Sequence, residues 1–220
     1  MTIKVYFNND DPDMAPPAWR GTNWDKTTGA VVKALGLDKV GPNASVAQSE
    51  TSTSSTYDMV QGSWTSAPFL RDASIAATET IGLTVGRQAS AASSFYSVIY
   101  IYVMAPDGSV RGVLQNKVGS SYWGTGQANG GWNPGVVSAV SAQAGDRLVF
   151  EMGVRAANTT SSSRTATIWY GDGGGADYDV ATPDQSGVTT RVGNAVLTGS
   201  GLESLWTPPP LEPGRMMMAV

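Results

Sequence analysis

The sequence predicts an all-β protein: an antiparallel β-sandwich, jelly-roll-like, with an extended N-terminal segment and a C-terminal Pro/Met arm. Three observations carry that prediction. Between Asp146 and Ala156, Leu148, Phe150, Met152, Val154 and Ala156 occupy every second position, with Arg147, Glu151 and Arg155 between them. This is the period of a strand with one apolar and one wet face. Ala166, Ile168 and Tyr170 resume the alternation after a turn-forming run from Asn158 to Ser163, so the two stretches are expected to pair as a long hairpin. Short apolar stretches of this kind recur along the chain between Gly, Pro, Asn and Asp, as in sandwiches and jelly rolls, and none alternates convincingly with helices.

Taken in order, Ile3, Val5 and Phe7 alternate with Lys4 and Tyr6 and predict a first strand that halts at Asn8-Asn9-Asp10-Asp11-Pro12. Pro16, Pro17, Trp19 and Trp24 then sit in an irregular segment. Thr28 to Leu37 reads as a short helix closed by Gly36 or equally as a strand, and the polar run from Ser45 to Thr56 has little to bury and reads as a linker. The domain organisation expected is therefore residues 1–56 as strand and arm, 57–200 as the sandwich, and 201–220 as a second arm.

Within the sandwich, Ile75, Ala77, Ile81, Leu83 and Val85 share one parity, interrupted by Glu79, which predicts a bulge or kink there. Phe95 to Met104 is apolar on both parities and should be a central strand covered on both faces. Ala105-Pro106-Asp107-Gly108 is a turn, and Val110 to Leu114 should return as the antiparallel neighbour. A Gly- and Trp-rich excursion from Gly119 to Pro134 follows, then a strand over Val136 to Val140. Short strands at Val188 to Val192 and Ala195 to Leu197 close the domain. The tail from Thr207 reads as polyproline-like and then irregular, with no core of its own to join. Arms of this composition order when laid on neighbouring subunits.

Composition excludes several function classes. A net charge of −4 gives no basis for binding a phosphate backbone, so no nucleic-acid partner is expected. The chain has no Cys and no His, which removes disulfides, thiolate zinc sites, cysteine nucleophiles and Ser-His triads. No apolar run approaches the roughly 20 residues of a membrane span, and the N-terminus has no signal-peptide pattern. A soluble protein made in the cytoplasm, with no membrane partner, is expected.

Each candidate site has a plainer reading beside it. Asp172, Asp177 and Asp179 around a glycine run could gather oxygens about Ca²⁺, but they read more simply as a solubilised turn. Asn8, Asp10, Asp11 and Asp13 share the ambiguity, and no other metal or cofactor is expected. Gly171, Gly173 and Ala176 match a dinucleotide pattern only formally, since no helix follows to meet a phosphate. Tyr122, Trp123 and Trp132, with Trp64, could form a stacking platform for sugar rings, or pack under their own loops or at an interface. Glu50, Glu79, Glu151, Glu203 and Glu212 are dispersed, and neither S-x-x-K nor G-x-S-x-G occurs, so no catalytic residue and no enzyme is expected. Trp19 and Trp24 at one end, and Leu205, Trp206, Met216, Met217 and Met218 at the other, are the expected assembly contacts.

Several blocks occur in a telling order: Tyr57-Asp-Met-Val with Trp64-Thr-Ser-Ala-Pro, Pro106-Asp-Gly-Ser-Val-Arg-Gly-Val-Leu, Gly145-Asp-Arg-Leu-Val-Phe-Glu-Met-Gly-Val-Arg-Ala, and Ile168-Trp-Tyr-Gly-Asp. Over about half the chain, a span suited to one core with arms, they resemble a jelly-roll domain of tailed phages infecting actinobacteria, described as minor tail proteins. The resemblance implies a structural role in the virion, at the tail or its tip, with other virion proteins and copies of itself as partners and no cofactor. The alternatives are a receptor- or carbohydrate-binding module meeting host-surface glycan, and a capsid decoration or head-fibre protein.

Overall fold

The computed structural model describes residues 2–19, 24–50, 57–92, 94–156, 163–171, 176–177 and 191–206. Its strands are β1 (Thr2–Phe7), β2 (Val31–Gly36), β3 (Ser45–Glu50), β4 (Tyr57–Ser66), β5 (Ala73–Ile75), β6 (Thr80–Ala89), β7 (Phe95–Met104), β8 (Val110–Tyr122), β9 (Ala128–Val136), β10 (Val140–Ala142), β11 (Arg147–Ala156), β12 (Arg164–Trp169), β13 (Ala176–Asp177), β14 (Arg191–Val192) and β15 (Asn194–Thr198), followed by one short helix, α1 (Ser200–Ser204). An 11-stranded sheet runs in the order β3-β12-β6-β15-β1-β2-β4-β11-β7-β8, with β9 on the free side of β6. Both halves of this sheet face one apolar core, so the chain is an all-β, sandwich-like fold. Pairing between strands is antiparallel except for β2 with β4 and β13 with β14.

Alternation decides which side chains enter the core. Leu148, Phe150, Met152, Val154 and Ala156 of β11 are buried there together with Phe95, Ile99, Ile101 and Val103 of β7, in the register Phe150↔Ile101 and Met152↔Ile99. Phe7, Trp64, Phe150 and Tyr170 meet edge to face at its centre, with ring centroids 5.0–5.5 Å apart. Such contacts add to the area that these rings bury.

The expected hairpin between β11 and β12 does not form. β11 pairs with β4 and β7, whereas β12 pairs with β3 and β6. The period-2 pattern was read correctly, since Ala166, Ile168 and Tyr170 all enter the core. They enter it from the other side, because alternation fixes a strand's buried face and says nothing of its neighbour.

The N-terminal 50 residues also differ from the expected arm. β1 lies between β15 and β2, Val31–Gly36 is a strand running parallel to β4, and Ser45–Glu50 is an edge strand rather than linker. An edge strand needs only alternate apolar residues, and Val46 supplies one while Ser45, Ala47 and Ser49 face out. At Glu79 the expected bulge or kink is a turn between β5 and β6, closed by the Glu79 N–H on the Ala76 carbonyl at 3.0 Å, and the register with β9 shifts just beyond it, between Ile81 and Leu83. The Ala105–Gly108 turn is as expected, with Gly108 at φ 82°. The predicted strand over Val136 to Val140 is divided between β9 and β10, and Val188 to Thr190 lie outside the described residues.

Candidate functional site

The odd-numbered residues of β11 point away from the core, and sequence alone gives that face to solvent. It is instead covered by residues 13–19 and 24–26. The Asp13 carboxylate accepts two bonds from the Arg147 guanidinium, at 2.6 and 3.0 Å, while Arg147 also donates to the Ser66 carbonyl at 2.9 Å. Met14 packs on Tyr102, Met104 and Val149. Further along, the Trp24 indole donates to Glu151 at 2.8 Å, and the Tyr102 hydroxyl reaches the other carboxylate oxygen at 3.4 Å. Glu151 is fully buried, so these bonds offset the loss of its hydration.

Gly153 makes room for this arrangement. A Cβ there would press on the Met59 carbonyl and lie 2.7 Å from the Trp24 ring. Beside it, Arg155 forms a fork with Asp58 at 2.7 and 2.8 Å, and Asp25 accepts the Asp58 backbone N–H at 2.7 Å. The Asp58 carboxylate holds the Arg155 guanidinium above its ordinary pKa.

Between the covering segment and the sheet lies a concavity of about 190 Å³, lined by Pro16, Pro17, Ala18, Trp19, Val32 and Ser63. Its walls are apolar and its floor is a hydroxyl. Ser63 is 1% exposed, and among the described residues its Oγ has no hydrogen-bond partner; the same holds for Thr65 Oγ1 two positions on.

The sequence-predicted aromatic platform does not assemble. Trp64 is fully buried at the centre of the core, and Trp123 is 2% exposed with its indole donating to Ser97 Oγ at 2.8 Å. Neither has a ring face left for a sugar. Tyr122 is 43% exposed and stacks on Tyr96 with centroids 4.3 Å apart. Trp132 is described through its backbone alone, opposite Leu83.

Of the expected assembly contacts, Trp19 is half-buried at the concavity and Trp24 is held on the chain's own sheet. Leu205 is fully buried in the core, and Trp206 packs edge-on against Phe69 at 5.6 Å with its indole on the Ala67 carbonyl at 3.3 Å. Met216, Met217 and Met218 lie outside the described residues, as do Asp172 and Asp179. Asp177 binds the ammonium groups of Lys4 and Lys39, each at 2.7 Å. Burial pushes the Asp177 carboxyl up, but hydrogen bonds from Lys39 and Lys4 more than reverse this and hold it below the usual carboxylate range. Among the described residues no group of three or more acidic side chains is placed to hold a metal ion, and no helix is long and apolar enough to cross a membrane.

Two buried carboxylates escaped sequence reasoning. Glu79 accepts the backbone N–H groups of Gly201 and Leu202, both at 2.8 Å, at the start of α1. Asp146 is fully buried, ion-paired to Arg111 and bonded by the Gln143 N–H at 2.8 Å. The Glu79 break in an apolar parity was the available signal. Its partner, 122 positions away, was not.

No protein-family model and no curated protein matches the chain. Among solved structures, it is similar to a chain of infectious bursal disease virus, Gx strain, at 10% identity and a TM-score of 0.30 over 70% of this chain and 38% of that one. It is similar also to a CocE/NonD family hydrolase from Staphylococcus aureus, in two structures, at 10% identity and TM-scores of 0.29 and 0.30, over 90% of this chain and 34% of that one. The chain thus spans little more than a third of the solved chains it matches. Likeness of this degree assigns no activity.

Proposed function

We propose that the chain is a non-enzymatic structural protein of a tailed-phage virion, a minor tail protein at the tail or its tip, with other virion proteins and copies of itself as neighbours. The observation that carries this reading is the placement of the blocks that resemble minor tail proteins. Three of the four blocks, residues 57–60 with 64–68, 106–114 and 145–156, are far apart in sequence, yet they fall chiefly on β4, β8 and β11 and on the turn joining β7 to β8. Those strands are hydrogen-bonded in immediate succession, β4-β11-β7-β8. Three of the four blocks thus meet in one continuous half-sheet, as parts of a shared building block would, while the fourth begins at Ile168 on β12 in the other half. The guanidinium groups of Arg111, Arg147 and Arg155 are committed to ion pairs with Asp146, Asp13 and Asp58, which supports a rigid module rather than a reactive cleft.

Quantitative mass spectrometry of gradient-purified particles tests the proposal. A fixed copy number per particle that survives repeated banding is the expected result. Recovery of the protein only in the soluble lysate sinks it.

A second reading, contact with host-surface glycan, is favoured by Tyr122, which projects from an edge strand with Val118 also exposed. A glycan array on wild type and Tyr122→Ala tests that reading, and binding that is absent, or equal in both, removes it.

A further inference from the structure

We propose that Tyr96 and Tyr122 form an oxidative modification site, where a one-electron oxidant joins the two rings by a carbon–carbon bond and staples the edge strand β8 to β7. The register places them. Val98 stands opposite Val118, so unbroken antiparallel pairing would set Ser120 against Tyr96; a shift between Tyr96 and Val98 brings Tyr122 there instead. Cross-strand partners project from the same face of a sheet. The two rings are stacked, with centroids 4.3 Å apart and planes 25° from parallel. A hydrogen bond with the Tyr122 hydroxyl raises the Tyr96 hydroxyl above its ordinary pKa, so both oxygens lie at the same end of the stack. The ring carbons beside those oxygens are thereby brought close together.

Access is the second requirement. Tyr122 is 43% exposed and Tyr96 is partly exposed, so an oxidant reaches the pair without opening the fold. The other described tyrosine pair, Tyr100 with Tyr102, is less suited: its centroids are 5.5 Å apart, its planes 48° from parallel, and Tyr102 has no exposed surface. The co-reactant is a one-electron oxidant of the peroxidase or photo-excited metal-complex class. It takes one electron from each phenol while each hydroxyl proton passes to solvent, leaving two phenoxyl radicals whose unpaired electrons are shared with the carbons beside the oxygen. One C–C bond forms between those carbons, and the hydrogen on each moves to its own ring's oxygen, which restores both aromatic rings and both hydroxyls. The net loss is two electrons and two protons. The inference stands apart from any place in the virion.

The full-length chain at dilute concentration is illuminated briefly with a ruthenium tris-bipyridyl complex and persulfate, then digested. The expected result is a linked peptide pair, lighter by two hydrogen atoms than its separate parts, with the bond placed by fragmentation on Tyr96 and Tyr122. It should exceed every other tyrosine cross-link about tenfold, because partners already in contact react as one molecule. Tyr96→Phe and Tyr122→Phe keep an aromatic ring in the stack, and each is first shown to fold cooperatively; either should abolish the product. No cross-link, equal yields at Tyr100 or Tyr102, intrachain dityrosine formed undiminished in the phenylalanine variants, or bonds formed only between chains would each overturn the proposal.

Discussion

The indole N–H of Trp24 lies 2.8 Å from a carboxylate oxygen of Glu151, across 127 positions of sequence. Glu151 belongs to a central strand and has no exposed surface, so the indole donor takes the place of water that burial removes. The bond ties the N-terminal segment to the middle of the sandwich.

Removing this donor should therefore destabilise the whole fold. Trp24→Ala should lower the unfolding free energy by about 3 kcal/mol through lost packing and the loss of one donor to a buried carboxyl. Trp24→Phe keeps most of the ring and loses only the N–H, and should lower it by about 1–2 kcal/mol. Chemical denaturation of both variants checks this. A Trp24→Ala midpoint equal to wild type would detach the segment from the domain.

The Glu79 carboxylate on the Gly201 and Leu202 N–H groups predicts a local effect. Glu79→Ala leaves two backbone donors unmatched and should cost about 2 kcal/mol, and Glu79→Gln, which keeps one acceptor, roughly half of that. Hydrogen exchange at Gly201 and Leu202 should accelerate in step with the loss of stability. Unchanged protection of those two amides contradicts the cap.

Trp123 and Tyr122 are adjacent in sequence and opposite in environment. Trp123→Ala should cost about 3–5 kcal/mol as a core truncation, whereas Tyr122→Ala should cost about 1 kcal/mol or less, the worth of one exposed stacked pair. Thermal melts of the two variants measure the contrast, and similar losses for both would refute the placement of Trp123.

Acid should weaken the Asp177 cluster. The folded-state pKa of Asp177 is depressed, net of burial, by Lys39 and Lys4, so its stabilisation is fully present above the unfolded value of about 3.9 and is lost as pH falls through the lower folded value. The lysines are partly exposed, so Asp177→Asn should cost under about 1 kcal/mol at neutral pH. It should also flatten the fall in melting temperature on the acid side of about pH 4. An unaltered acid limb in Asp177→Asn removes the cluster from the explanation.

Much of the fold was legible because burial enforces parity. The inward rows of β11 and β12 were readable from alternation alone, since slipping a strand by one residue would reverse every side chain. Pairing across a tight turn was readable, as for β7 and β8, but pairing between β11 and β12 was not: nothing in Leu148 or Ile168 says whether their strands are neighbours or face one another across the core. The wet parity of β11 misled for the same reason. Glu151 and Arg147 look like surface residues until Trp24 and Asp13, more than a hundred positions away, are folded over them. β3 was hidden by its polarity, as suits an edge. Of the candidate site, Trp19 was singled out, but Val32 and Ser63 were not, because a serine on an apparently exposed parity gives no sign that it will be roofed.

The proposed virion role is tested most directly by a nonsense mutation in the gene, with particles produced from the same genome imaged by electron microscopy and titred for infectivity. The predicted result is particles lacking tail or tail-tip density, with wild-type appearance restored when the protein is supplied in trans. Particles of normal appearance and full infectivity, made without the protein, would contradict it.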